Sequence, residues 1–232
     1  MYEKDYIIHR LSTSNQSYGH IRDEFNELSI EGLWDKLKKI RKDTTPIILF
    51  GAEPFSSNLR TSNIKEYKYD WIWEKSAIGF LNSKKMPMKV YENVSIFYKS
   101  LPIYNPQNLI PCNIEVKRGI QKNTTSHDGG RLTTSSYNRK FTNYPTQKLV
   151  FKNEKGLHQT QKPVALMEYL IKTYTNENEL ILDFTSGSGT TAVACENTNR
   201  RWICIEKDED SEGNSLGYCD ITVDRLKGVN RK

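Results

Sequence analysis

The residues best suited to chemistry lie in one short stretch, Leu180-Ile-Leu-Asp-Phe-Thr-Ser-Gly-Ser-Gly-Thr-Thr191. An apolar run ends at Asp183, the chain turns through Gly187 and Gly189, and a helix is expected to begin at Thr190. Glycine suits such a turn because the backbone can pass close to a ligand and take positive φ without steric cost. Glu206 closes the next apolar run, near the separation of about 20 residues at which a carboxylate grips a ribose hydroxyl. A G-x-G alone is equally a tight turn. Strand, G-x-G, helix, strand and acid in that order point to a nucleoside cofactor.

The loop chemistry narrows the cofactor. No lysine follows Gly189, as a phosphate-cradling G-x-x-x-x-G-K-[ST] loop would require. Ala192 or Val193 stands where a dinucleotide site favours a third glycine. An aspartate beside the cofactor suits an ammonium better than a pyrophosphate. S-adenosylmethionine meets these conditions, with an ammonium and a carboxylate for the loop, a ribose for Glu206 and an adenine for apolar walls.

The elements that must position this loop follow from the rest of the chain. Its 232 residues suffice for one sizeable domain, or one with a satellite lobe. No apolar run approaches the roughly 18 residues needed to span a bilayer. The start, MYEKDYIIHR, lacks the apolar stretch of a secretory signal, so a soluble, cytoplasmic protein is expected. Cys112, Cys195, Cys204 and Cys219 form no C-x-x-C pair and the histidines are scattered, which argues against a metal cage or disulfide framework. The net charge of +6 leans toward a polyanionic partner.

Leu33, Trp34, Leu37 and Ile40 recur at helical spacing. Pro46 to Ala52 reads as a buried strand, and Ser56 to Lys65 as a helix. Tyr69 to Glu74 and Val90 to Tyr98 alternate as strands, with one of Trp71 and Trp73 expected in the core. Further on, the pattern predicts a helix over Val164–Thr173, a strand over Glu179–Phe184, a helix over Thr190–Asn197, a strand over Trp202–Ile205 and a last helix over 218–227. This alternation predicts an α/β fold with a mostly parallel sheet.

Residues 105–157 differ in character. They are rich in Asn, Thr, Ser and Gly, and from Lys117 to Lys152 hold eight Lys and Arg against Asp128 alone. Tyr137, Phe141, Tyr144 and Phe151 are interleaved. Two readings stay open on composition: a solvated basic loop, or an insert whose cations (Lys117, Arg118, Lys122, Arg131, Arg139 and Lys140) meet DNA phosphates while other side chains reach base edges.

His158-Gln-Thr-Gln-Lys-Pro163 and Asp183-Phe-Thr-Ser-Gly-Ser-Gly-Thr-Thr191 resemble the H-P-T-Q-K-P motif and the D-x-F-x-G-x-G-T-T loop of amino-group DNA methyltransferases. Leu49-Phe-Gly-Ala-Glu-Pro-Phe55, Trp71-Ile-Trp-Glu-Lys75 and Gly79 to Pro87 are similar to phage and prophage members, and the likeness runs from about residue 30 to 226. The motif order is that of the class whose cofactor loop follows the target-recognition insert. The resemblance implies a Rossmann-like methyltransferase fold in which residues 1–104 form the catalytic-motif region, 105–157 the recognition insert and 158–232 the cofactor-binding part. It implies that Phe184, Gly187, Gly189 and Thr190 wall the methionine end of S-adenosylmethionine, with Asp183 near its ammonium and Glu206 on its ribose. Thr160 and Lys162 would lie beside its carboxylate. Double-stranded DNA is the implied partner, in a restriction–modification or phage setting, with a homodimer left open.

The sequence departs from that family at one point. The tetrapeptide [D/N/S]-P-P-[Y/F/W] is missing. Its first side chain and following carbonyl accept the hydrogens of an exocyclic amine, freeing the nitrogen lone pair, and its aromatic stacks on the extruded base. Asn15-Gln16-Ser17-Tyr18 is the nearest candidate, Asn15 as acceptor and Tyr18 as stacking platform, the alternative being a polar turn. Asp5 to Ile8 resembles the preceding strand. The readings carried forward are methylation of adenine N6, methylation of cytosine N4, and a degenerate member that binds cofactor or DNA without turnover. Cytosine C5 methylation needs a thiolate, for which Pro111-Cys112 lies in the wrong context; a dinucleotide oxidoreductase ranks last.

Overall fold

The computed structural model describes residues 6–9, 30–76, 80, 83–117, 136–154, 156–157, 161–206 and 214–229. The strands are β1 (Tyr6–His9), β2 (Ile47–Gly51), β3 (Tyr67–Lys75), β4 (Tyr91–Phe97), β5 (Ile110–Lys117), β6 (Ser136–Thr142), β7 (Lys148–Phe151), β8 (Leu180–Asp183) and β9 (Arg201–Cys204). The helices are α1 (Ile30–Ile40), α2 (Phe55–Ser62), α3 (Val164–Tyr174), α4 (Thr190–Asn197) and α5 (Tyr218–Lys227). Two compact units result, one of residues 1–105 and 147–232, the other of residues 106–146. Among the described residues no helix is long and apolar enough to cross a membrane.

The larger unit is built on a seven-stranded sheet in the order β7-β3-β4-β2-β1-β8-β9. Four of its six pairings are parallel; β4 runs antiparallel to both β2 and β3. The unbroken apolar run of β2 marks a strand covered on both faces, and all five of its residues are buried. Ile47 and Leu49 face Leu33, Trp34 and Leu37 of α1 and Leu59 of α2, whereas Ile48 and Phe50 face Leu166, Leu170 and Ile171 of α3. Ile40, assigned by spacing to the apolar stripe of α1, is 42% exposed at the last residue of that helix. Lys38 and Lys39 in that last turn suit the negative end of the helix dipole.

Trp71 and Trp73 correct the sequence reading. Both are buried, because residues two apart share a face of a strand. Each indole N–H finds an acceptor, Trp71 on the Tyr174 hydroxyl (2.7 Å) and Trp73 on the Phe151 carbonyl (3.1 Å).

The smaller unit contains the antiparallel pair β5–β6. Here the basic segment, legible as loop, is regular backbone with almost every side chain exposed. The unit also ends earlier than the boundary at 157. The chain rejoins the main sheet at β7, where Leu149 is buried and pairs with Trp73.

Candidate functional site

Strands β1, β2, β8 and β9 are parallel, so their C-terminal ends share one edge of the sheet. Between β1 and β8 the winding reverses, since β1 leads to β2 on one side and β8 to β9 on the other. Open α/β sheets bind ligands in the crevice at such a reversal. The glycine turn leaves β8 there, and residues 10–29 follow β1 in sequence. Asn15 and Tyr18, the expected acceptor and stacking platform, fall in that stretch and lie outside the described residues, as does Thr160.

The glycine turn is fixed from within. Gly187 and Gly189 have φ of +52° and +73°, the left-handed region that other residues enter with strain. Asp183 is 1% exposed. Its carboxylate accepts the Thr185 amide (3.1 Å) and the Thr191 hydroxyl (2.5 Å), joining the strand end to the first turn of α4. The Ser186 amide donates to the Ile205 carbonyl (3.0 Å), and the Gly187 amide donates to Glu206 Oε2 at 2.5 Å. Glu206 therefore lies against the turn. Ile205 beside it is 53% exposed, and Phe184 at the start of the turn is partly buried.

Helix α5 supplies residues that sequence reasoning missed. A Cβ on Gly189 would lie 2.3 Å from Thr222 Cγ2, which makes glycine obligatory there twice over, by φ and by contact. Arg225 Nη1 donates to the Ser188 carbonyl (2.6 Å) and the Thr190 hydroxyl (3.1 Å). Burial pulls the Arg225 guanidinium below its usual value, with Glu154 opposing. Ile221, Val223 and Leu226 had marked α5 as apolar; the polar Thr222 and Arg225 make these contacts instead, and Val223 is 52% exposed.

Lys162, whose implied role is at a cofactor carboxylate, lies in the interior. It is 2% exposed, its ammonium bonded to Glu92 Oε2 (2.5 Å) and lying 5.1 Å from the Phe50 ring centroid and 5.5 Å from that of Trp73. Lys75 binds the other oxygen of Glu92, so two cations share one carboxylate. Burial alone would push the Glu92 carboxyl up; the two ammonium groups outweigh it and hold Glu92 below the usual carboxylate range. No local pattern reveals this triad, because its members stand on β3, β4 and the segment before α3.

In the smaller unit Lys117, Arg139 and Lys140 are exposed on β5 and β6. Arg139 lies opposite Ile114 and Lys117 opposite Ser136. Arg118, Lys122 and Arg131 lie outside the described residues. Cys112 is on β5, its thiol donating to the Arg139 carbonyl (3.1 Å). Burial pushes the Cys195 and Cys204 thiols up, away from thiolate chemistry.

Known proteins resemble this chain in parts of its sequence and in its fold. The chain is 41% identical over 73 residues to the type II methyltransferase M.HindIII of Haemophilus influenzae, a match covering 32% of this chain and 21% of that protein. It is 40% identical over 89 residues to the EcoPI Mod subunit, a type III restriction-modification enzyme of Escherichia phage P1, covering 33% and 14%. These matches thus span well under two thirds of either relative. Among solved structures, the M1.HpyAVI–SAM complex superposes with a TM-score of 0.63 at 20% identity, covering 97% of this chain and 89% of that one. The cytosine-N4-specific PvuII DNA methyltransferase gives 0.59 at 17%, covering 97% and 86%. The family model described as DNA methylase matches residues 15–212, most of the chain. With that match added to the glycine turn at the sheet's reversal point, the chain belongs to the N6/N4 DNA methylase family.

Proposed function

We propose that this protein transfers a methyl group from S-adenosylmethionine to an exocyclic amino group in double-stranded DNA, adenine N6 ahead of cytosine N4. The observation that carries this reading is the meeting of the glycine turn with Glu206 at the point where the sheet reverses. When bound, the cofactor supplies a methyl group on a sulfonium, open to direct attack by an amine. The chain's own donors and acceptors suit it. The free lone pairs of the Glu206 carboxylate suit ribose hydroxyls, Ile205 offers apolar surface to adenine, and Phe184 with the turn at Gly187, Gly189 and Thr190 walls the methionine end. Asp183 acts chiefly by holding the turn in shape, with its negative charge favouring a nearby ammonium. Lys162, together with Thr160, serves a cofactor carboxylate as part of the Lys75–Glu92–Lys162 triad, in which two cations face one anion.

On the nucleophile's side, an aromatic amine becomes reactive when acceptors draw off its two hydrogens. Asn15 is assigned that role and Tyr18 the stacking of the extruded base, both on the segment leaving β1. A second reading rests on the sequence itself. With neither proline of the family tetrapeptide present around Asn15, the chain would bind cofactor and DNA without turnover.

Incubation with methyl-labelled S-adenosylmethionine and unmethylated DNA, followed by digestion to nucleosides, separates the two. Label in N6-methyladenine is the expected result, and label in N4-methylcytosine redirects the base assignment. No label from a folded preparation that binds the cofactor establishes the second reading. Asn15→Ala then locates the acceptor, with transfer lost and cofactor binding kept.

A further inference from the structure

The connection between β3 and β4 leaves and re-enters the sheet at the same edge as the glycine turn, because β4 runs antiparallel to both β3 and β2. Its base is fixed. The Lys75 amide donates to the Val90 carbonyl (2.8 Å), and Ser76 and Asn153 exchange two bonds, amide to side chain in each direction, at 2.8 and 2.9 Å. The Lys89 ammonium donates to the Glu53 carbonyl (3.2 Å), tying the returning limb to the turn after β2. The Ser83 amide closes a turn onto the Phe80 carbonyl (3.0 Å).

Beyond this base, large apolar side chains stand in water. Phe80 is 71% exposed, Met86 51% and Met88 40%. Lys84 and Lys85 are exposed beside them. Apolar groups displayed from an anchored loop mark an interaction surface, and interleaved ammonium groups select a polyanion with apolar faces between its charges. Duplex DNA with a base removed from the stack has that chemistry. A base cannot be methylated at this edge while it remains stacked, and its removal leaves a gap that apolar side chains fill in proteins that wedge between base steps. Unbranched, polarizable methionine suits so irregular a gap.

Resting on the DNA reading above, we propose that the Ser83–Val90 segment enters the duplex beside the target base, with Met86 and Met88 filling the vacated stack and Lys84 and Lys85 holding the flanking phosphates. The exposed side chains can be replaced with little consequence for folding. Met86→Ser/Met88→Ser is expected to lower methyl transfer to unmethylated genomic DNA about tenfold, with S-adenosylmethionine affinity unchanged. Lys84→Gln/Lys85→Gln is expected to weaken binding to a short mixed-sequence duplex and to lower the slope of log affinity against log salt by about two.

Two failures are distinguishable. A wild-type chain that binds cofactor but methylates no DNA sinks the catalytic reading alone, and the salt slope then decides the loop's role. If both variants match the wild type in duplex affinity, salt slope and any transfer, the proposal is overturned. It is likewise overturned if the lysine variant loses only retention on anionic lipid vesicles.

Discussion

The glycine turn and the β5–β6 pair are opposite solutions to presenting polar groups. Around the turn, Asp183, Glu206 and Arg225 each bond to loop atoms; Asp183, Ser186, Ser188 and Thr190 are buried, and Glu206 and Arg225 half-buried. On β5 and β6 nearly every side chain faces water, including Ile114, Tyr137 and Arg139. The turn has thus met most of its ordering cost on folding, which suits a ligand whose shape never changes. The paired strands leave their side chains to be ordered by whatever they meet, which suits a recognition element. Substitutions at the buried polar groups of the main unit should therefore appear in stability or cofactor affinity, and those on β5 and β6 in partner affinity alone.

The sharpest break in this contrast comes at the buried charges of the main unit. Glu92→Gln leaves two ammonium groups facing each other without their anion, and Lys162 has nowhere to hydrate. A loss of about 3–5 kcal/mol is expected, as a fall in the urea midpoint with an unchanged slope. Acid should act in the same direction. Burial raises the Glu92 carboxyl and the two lysines more than offset it, so its folded value lies below the unfolded one. Its contribution is then complete above the unfolded value near 4.3 and is lost as pH falls through the lower, folded value. The wild type should lose this increment on acidification while Glu92→Gln does not. A variant within about 1 kcal/mol of wild type at neutral pH would remove the triad from the account of stability.

Gly189→Ala comes next. Alanine at φ +73° costs about 1–2 kcal/mol, and its methyl meets Thr222 on the packed face of α5. Cofactor affinity by calorimetry should fall more than about tenfold, since the turn can accept the methyl only by moving. Adding Thr222→Ala should recover part of the loss, because it removes the two nearest atoms and leaves the Cβ at position 222, 2.8 Å away, and the strained φ. Full recovery would mean that contact alone, and not backbone conformation, sets the need for glycine.

How much of this was legible in the sequence depended on the range of the interaction. The strand, turn, helix and acid around Asp183 were readable because their meaning lies in short spacings, and the buried β2 strand because its apolar run is unbroken. The ion pair of Lys162 was not legible because its partner Glu92 stands 70 residues away on a strand whose neighbours emerge only with the sheet order. Arg225 was missed because a periodicity reading looks for apolar stripes, whereas α5 packs on the loop through a threonine and an arginine. β6 read as loop because it carries few apolar residues, and β5 because the alternation of Ile110, Cys112, Ile114 and Val116 is set among the polar, basic composition of its surroundings. Strand β7 was folded into the insert because four residues give too short a pattern to show that Leu149 is a core position.

Arg225 allows a milder and more discriminating test than Gly189. Arg225→Met removes the bonds to Ser188 and Thr190 but keeps much of the side-chain volume, for an expected loss of about 1–2 kcal/mol in stability. The telling readout is kinetic. If the arginine positions the turn for the cofactor, the KM for S-adenosylmethionine should rise severalfold with kcat little changed, and Arg225→Lys should restore part of it. A variant that loses kcat alone would place Arg225 elsewhere in the cycle.

The smallest structural effect is expected on β5 and β6, where the contrast is easiest to refute. Arg139→Ala and Lys140→Ala alter exposed side chains on neighbouring positions of β6, so stability should stay within about 0.5 kcal/mol of wild type. If these cations meet phosphates, each substitution should weaken duplex binding across all sequences and lower the salt slope by about one. If Arg139 instead reaches a base edge, the loss concentrates on the preferred sequence, about 1–3 kcal/mol, and the non-specific slope hardly moves. Adjacent residues of a strand point to opposite faces, so one face meeting DNA implies that only one of the two substitutions has an effect. Equal effects from both would mean that the pair of strands approaches DNA by its edge and not by a face.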